Sequence, residues 1–183
     1  MLAAEKKKYT IKDYQLMDEG SPFQLINADL VMSPTPTSFH QILAARIFKL
    51  IDSYLEQSNS GGICLFAPLD VQLDEENIFQ PDLLYIAESR KAELIKDHIY
   101  GAPDLIVEIL SPSTAYYDLR QKKDIYEKYG VKEYILIDPL QLNAEIYILE
   151  ENHFVLRQKA GINEALESVL LNGFTIDLNK LFL

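Results

Sequence analysis

Hydrophobic and polar positions change period several times along this chain, and each change marks an element. Residues 103–110 place Leu105, Val107 and Ile109 on one side and Asp104, Ile106, Glu108 and Leu110 on the other. Both faces are largely apolar, which predicts a central strand buried on each side. Glu108 is an acid where that pattern asks for a hydrophobe. Ser111, Pro112, Ser113 and Thr114 stop the strand and offer capping oxygens, and a helix follows from about Ala115 to Gly130, a residue suited to a left-handed C-cap. At about 100° per residue, Ala115, Leu119, Ile125, Tyr126 and Tyr129 share one helix face, with Lys122 in its middle and Lys123 at its edge. A buried carboxylate followed by an inward lysine is costly unless the two charges find partners.

The remaining elements follow from the same patterns. Residues 1–8 read as frayed, and Thr10 with Asp13 predicts a capped short helix ending near Gly20. Gln24 to Met32 predicts one strand closed by Ser33 and Pro34. A helix over about Thr37 to Gln57 carries Leu43, Ile47, Leu50 and Tyr54 at core spacing, and His40 in its first turn reads as a surface or capping histidine. Residues 63–73 and 78–86 predict an antiparallel hairpin turning at Asp74 to Asn77. Within its second arm Asp82 shares a face with Leu84 and Ile86. Glu88 to Tyr100 is an irregular or short helical crossover, KEYILID a second buried strand, and residues 144–158 a meander around Glu150 to Asn152. Phe174 to Leu183 closes a single domain spanning 1–183.

Charge and composition narrow the function. Seventeen basic against 28 acidic residues give −11, which opposes a sequence-independent electrostatic grip on nucleic acid. Cys64 is the only cysteine, so no intramolecular disulfide forms and a reducing, cytoplasmic setting is the default. No stretch matches a signal peptide or reaches the roughly 18 apolar residues of a membrane span.

Three histidines and one cysteine lack zinc-type spacing, and neither a glycine-rich phosphate loop nor a serine nucleophile elbow occurs. Two acids on predicted strands remain, Asp82 and Glu108, with Lys122 on the following helix. Carboxylates are the ligands Mg²⁺ or Mn²⁺ prefers, and a nearby lysine can orient water or stabilise charge on phosphorus. Such a set suits metal-assisted hydrolysis of a phosphodiester. Taken singly, Asp82 is equally a polar residue beside an edge-strand proline, and Lys122 equally a partner of Asp118 one turn away.

The strings PDLLYI, APDLIVEILSPST, DLRQKKDIY and YGVKEYILIDP resemble the Uma2 branch (formerly DUF820) of the PD-(D/E)XK nuclease superfamily, over about Ser33 to Asp138. The resemblance implies an α/β, restriction endonuclease-like core with a mixed central sheet flanked by helices, a divalent metal and a homodimer. It places the family's Pro-Asp on Pro81 and Asp82, its strand glutamate on Glu108 and its displaced lysine on Lys122, with Asp118 and Tyr126 also matching. Asp82 and Glu108 would hold Mg²⁺ or Mn²⁺, and the partner would be nucleic acid, DNA first. Asp104, in a second Pro-Asp roughly 13 Å along the strand from Glu108, is a strand-start or auxiliary residue. The superfamily's usual lysine, two residues after the acid, is Leu110 here, and the family's upstream acid and glycine are Gln24 and Ala28. A nuclease-like module without catalysis, or a structural homodimer, stays open. In a dimer the hairpin or the segment Phe174 to Leu183 would supply the apolar face.

Overall fold

A computed structural model describes residues 7–18, 20–112 and 115–183. Most of the expected fraying at 1–8, and Ser113 and Thr114 of the expected cap, fall outside the described residues. Thr10 and Asp13 do form the capping box, but the helix it starts, α1, is only Ile11–Tyr14. The expected strand 24–32 is instead a hairpin of β1 (Phe23–Ile26) and β2 (Asp29–Met32), with Ile26 paired to Asp29. Its two-residue turn holds Asn27 and Ala28 at φ of 51° and 63°. That is the left-handed conformation a glycine would have advertised, and alanine adopts it without the usual signal.

Helix α2 (Ser38–Ser58) is capped by the Thr37 side chain, which accepts from the His40 N–H at 3.2 Å. Its buried row is Leu43, Ile47, Ile51 and Leu55, whereas Leu50 is 40% exposed and the Tyr54 hydroxyl donates to the Asn172 carbonyl. The helix lies on the sheet along its four-residue ridge, with Tyr54 packed at the edge of the core against Phe174, so the core stripe drifts around the axis and does not return to position 50.

The long hairpin forms in two pieces. Its lower pair is β3 (Ile63–Phe66) with β6 (Leu83–Ile86), and its upper pair β4 (Val71–Gln72) with β5 (Ile78–Phe79). Pro68 and Pro81 stand in the two interruptions, where each lacks the N–H a continuous ladder needs. Helix α3 (Glu88–Leu94) and the short β7 (Ile99–Tyr100) lead to the central strand β8 (Leu105–Ile109). A π-helical turn (Tyr117–Lys122) runs into α4 (Lys123–Tyr129), which ends at Gly130 with φ of 83°. Then come β9 (Glu133–Asp138), β10 (Asn143–Glu150), β11 (His153–Gly161), β12 (Ala165–Glu167), β13 (Thr175–Asp177) and α5 (Leu178–Phe182).

Six strands form the main sheet in the order β11-β10-β9-β8-β6-β3, mixed because β8 and β9 run parallel while the other neighbours are antiparallel. A second sheet has the order β2-β1-β5-β4-β7. The alternation read in β8 is real. Leu105, Val107 and Ile109 join the core beneath α2, and Ile106 joins the one beneath α4. Phe174, Ile176, Leu178, Leu181 and Phe182 are buried in the α2-side core, so this segment does not offer the apolar dimer face expected of it.

Candidate active site

The site lies where the C-terminal end of β8 meets the break between β5 and β6. Continuing the register in which Leu83 faces Val107 would set Pro81 opposite Ile109. The Asp82 side chain takes over the ladder there, its Oδ2 accepting the Ile109 N–H at 2.7 Å. The Gln80 N–H freed by the same break donates to Gln24 Oε1 at 2.9 Å, and Gln24 Nε2 donates to Ser33 Oγ at 2.6 Å. Gln24, where the resemblance expects an acid, is thus a neutral, buried strut bracing the strand break at Gln80.

Glu108 is 2% exposed on the α4 side of β8. Its Oε1 accepts from Lys122 Nζ at 3.0 Å and from the Tyr126 hydroxyl at 3.0 Å, and its Oε2 faces the Asp82 N–H at 3.3 Å. Lys122, itself 3% exposed, lies 2.9 Å from Asp118 Oδ1. Tyr126 and Tyr134 wall the cluster, Tyr126 packing edge-on against Phe79, and the Tyr134 hydroxyl donates to the Asp118 carbonyl at 2.9 Å. The sequence-predicted Asp82, Glu108, Lys122, Asp118 and Tyr126 are therefore joined in one network.

Asp104 is not part of it. At the far end of β8 its fully buried carboxylate meets Arg90 at 3.1 Å, Lys132 at 2.7 Å and the Ala87 N–H at 2.9 Å. Nor does Lys123 enter the site, since its ammonium sits over the Tyr147 ring.

Two participants carried no clear sequence signal. The His40 ring, 13% exposed, reaches from the first turn of α2 to place Nε2 3.2 Å from Asp82 Oδ2 and 3.2 Å from the Ile109 carbonyl oxygen. The Ile109 carbonyl is the second. Only the capping Thr37, which fixes where α2 begins, hinted that His40 would stand at an element end.

Asp118 and Lys122 both point inward, and the π-helical turn explains why Leu119 does not join them. A π turn advances roughly 80° per residue in place of about 100°, which leaves Asp118 about 40° from Lys122, as an α-helix would, but swings Leu119 about 120° away from it where an α-helix would leave about 60°. Leu119, expected inside, is accordingly 44% exposed.

Burial pushes the Glu108 carboxyl up to about 8; Lys122 pulls against this, while Asp118 and Asp82 add to it. Burial would lower Lys122, but the carboxylates of Asp118 and Glu108 outweigh it and raise the ammonium above its ordinary value. His40 is likewise raised, because the Asp82 carboxylate and the Ile109 carbonyl overcome the effect of burial. A pocket that cannot keep all its acids ionised is one a divalent cation would relieve, and the oxygen donors of Asp82, Glu108 and the Ile109 carbonyl suit such an ion. Among the described residues no three His, Cys, Asp or Glu side chains close a cage by themselves. A cation here would complete its shell with main chain and water, as Mg²⁺ ordinarily does.

The family model of Uma2, described as "Putative restriction endonuclease", matches residues 11–179. This chain belongs to the Uma2 family. The crystal structure of a "putative nuclease belonging to DUF820" from Anabaena variabilis ATCC 29413 is similar to this Uma2 chain with a TM-score of 0.79, over 94% of this chain and 97% of that one, at 18% identity. At that identity the likeness establishes the fold, a mixed α/β restriction endonuclease-like core. The protein sll1609 of Synechocystis sp. (strain ATCC 27184 / PCC 6803 / Kazusa), whose name states no activity, is 32% identical over 96 residues. That match covers 51% of this chain and 54% of the relative, so it spans about half the length of each. Among the described residues of the Uma2 chain, no helix is long and apolar enough to cross a membrane.

Proposed function

We propose that this Uma2 chain hydrolyses phosphodiester bonds of DNA with the help of Mg²⁺ or Mn²⁺, acting as a homodimer. One observation carries the reading: the ammonium of Lys122, fourteen residues beyond Glu108, lies 3.0 Å from its carboxylate. A lysine absent from position 110 is thereby supplied from the helix to the same acid. When bound, a divalent ion polarises the phosphodiester and lowers the pKa of a coordinated water.

The protein's own groups do the rest. Asp82 and Glu108 would hold the ion, Asp82 also being fixed by the Ile109 N–H. Tyr126 and Lys122 both bind Glu108 Oε1, which leaves Oε2 as the oxygen turned toward Asp82. Lys122, kept charged by Asp118, orients the attacking water or stabilises the negative charge that grows on phosphorus, in a dry surrounding where such a donor is most effective.

Cleavage of a supercoiled plasmid by the whole chain tests the proposal. Asp82→Asn and Glu108→Gln are each expected to lose about 100-fold or more in rate while remaining folded. Parent-like cleavage by both would refute the assignment. One rival is a nuclease-like module that binds without cutting. Its signature would be salt-sensitive DNA binding by the parent with no cleavage in either metal.

A further inference from the structure

We infer that His40 is a metal ligand, giving the site a nitrogen donor and with it a preference for Mn²⁺ over Mg²⁺. The inference rests on the metal-dependent reading above and adds to it a residue on a different element and a choice of ion.

Three donor atoms converge beside the strand break: His40 Nε2, Asp82 Oδ2 and the Ile109 carbonyl oxygen. The nitrogen lies 3.2 Å from each of the two oxygens. Neighbouring corners of an octahedron with bonds of about 2.1–2.3 Å are about 3.0–3.2 Å apart, so the nitrogen stands from each oxygen at the spacing of adjacent ligands around one ion. They are also held there independently of any ion. Asp82 is fixed by the Ile109 N–H at 2.7 Å, the carbonyl belongs to a buried central strand, and the imidazole stands on the first turn of a 21-residue helix whose start is set by the Thr37 cap. The second ring nitrogen, Nδ1, makes no hydrogen bond among the described residues. Every polar contact of the ring is therefore at the nitrogen that faces the two oxygens.

The nitrogen decides the preference. Mg²⁺ is a hard cation that favours an all-oxygen shell, whereas imidazole suits later first-row divalent ions and moves the balance toward Mn²⁺. A pair of carboxylates with a carbonyl and water would produce a weaker bias.

Binding of MnCl₂ and MgCl₂ to the whole chain, measured by isothermal titration calorimetry without DNA, tests this. The parent is expected to bind Mn²⁺ about tenfold or more tightly than Mg²⁺. His40→Ala should lose about tenfold or more in Mn²⁺ affinity and change Mg²⁺ affinity by less than about threefold, while Asp82→Asn weakens both. Electron spin-echo modulation of the Mn²⁺-loaded parent should show a directly bound ¹⁴N, a readout that holds even if His40→Ala fails to fold. No ¹⁴N coupling, or unchanged or stronger Mn²⁺ binding by His40→Ala, overturns the role of His40 and leaves the acid-based metal site standing. A parent that takes up neither ion at millimolar concentration removes that metal site and the inference together.

Discussion

Glu108 shows what a single atom group costs and enables. Its carboxyl is raised to about 8 by burial, so in the metal-free protein it binds a proton that the unfolded chain has already lost above about pH 4.5. Where the folded state holds more protons than the unfolded one, stability falls as pH rises. The contribution of Glu108 is thus fully present below about pH 4.5 and is lost as pH climbs through 8. Glu108→Gln, neutral at every pH and of the same shape, is expected to match the parent's melting temperature at pH 5 without metal and to exceed it by a few degrees at pH 8.5. Calorimetry at the two pH values decides this, and an equal loss at both would mean that Glu108 braces the fold. The same residue explains why part of the site was legible. An acid in a run of aliphatics violates the pattern around it, as Lys122 does on its helix face. His40 violates nothing, because a histidine behind a capping threonine is ordinary in any helix, and only the sheet beneath it reveals what its ring meets.

The stretch between β8 and α4 is where periodic reading and geometry part. Alternation within β8 was readable because strand side chains have a fixed period and both faces are buried. A π turn has no comparable signature, so a wheel drawn at one angle per residue misplaces Leu119 while placing Lys122 correctly. Leu119→Gln is therefore expected to change stability by no more than about 0.5 kcal/mol in a chemical unfolding experiment, as for an exposed position. A buried leucine would lose several times that. Lys122→Ala should lose cleavage while still binding Mg²⁺ in a calorimetric titration, since the acids stay in place. Lys123→Ala should cleave like the parent, because Lys123 is engaged with Tyr147 outside the site. Adding Leu110→Lys to Lys122→Ala returns the lysine to the strand and is expected to restore part of the rate, provided circular dichroism shows the double variant folded. An active Lys122→Ala, or loss of its Mg²⁺ binding, would remove the helix lysine from the chemistry. The N-terminal hairpin was missed for a related reason: its turn uses Asn27 and Ala28, and no glycine marks it.

For the molecule as a whole, the excess of eleven negative charges sets the terms of any encounter with DNA. Few phosphates can be neutralised by side chains, so the salt dependence of binding should be shallow for a nuclease, and affinity should rise with added Mn²⁺ or Mg²⁺ as bound cations offset local charge. Fluorescence anisotropy on a labelled duplex over a salt series, with and without metal, measures both effects; tight, steeply salt-sensitive binding without metal would point to a binding module. Light scattering at micromolar concentration is expected to give a dimer, and a monomer there would exclude paired sites acting on opposite strands.

Asp104 and Glu108, at the two ends of one strand, are treated unequally. Two cations, Arg90 and Lys132, converge on Asp104, where the structure brings no chemistry. At the other end Lys122 answers both Glu108 and Asp118. The strand is in effect an electrode pair: one terminal carries two cations for one acid, and the other, once Glu108 ionises, gathers Glu108, Asp118 and Asp82 around Lys122 and His40 and opens to solvent beside the partly exposed Asp82. A diffusing cation finds a gradient along β8 with a single downhill direction.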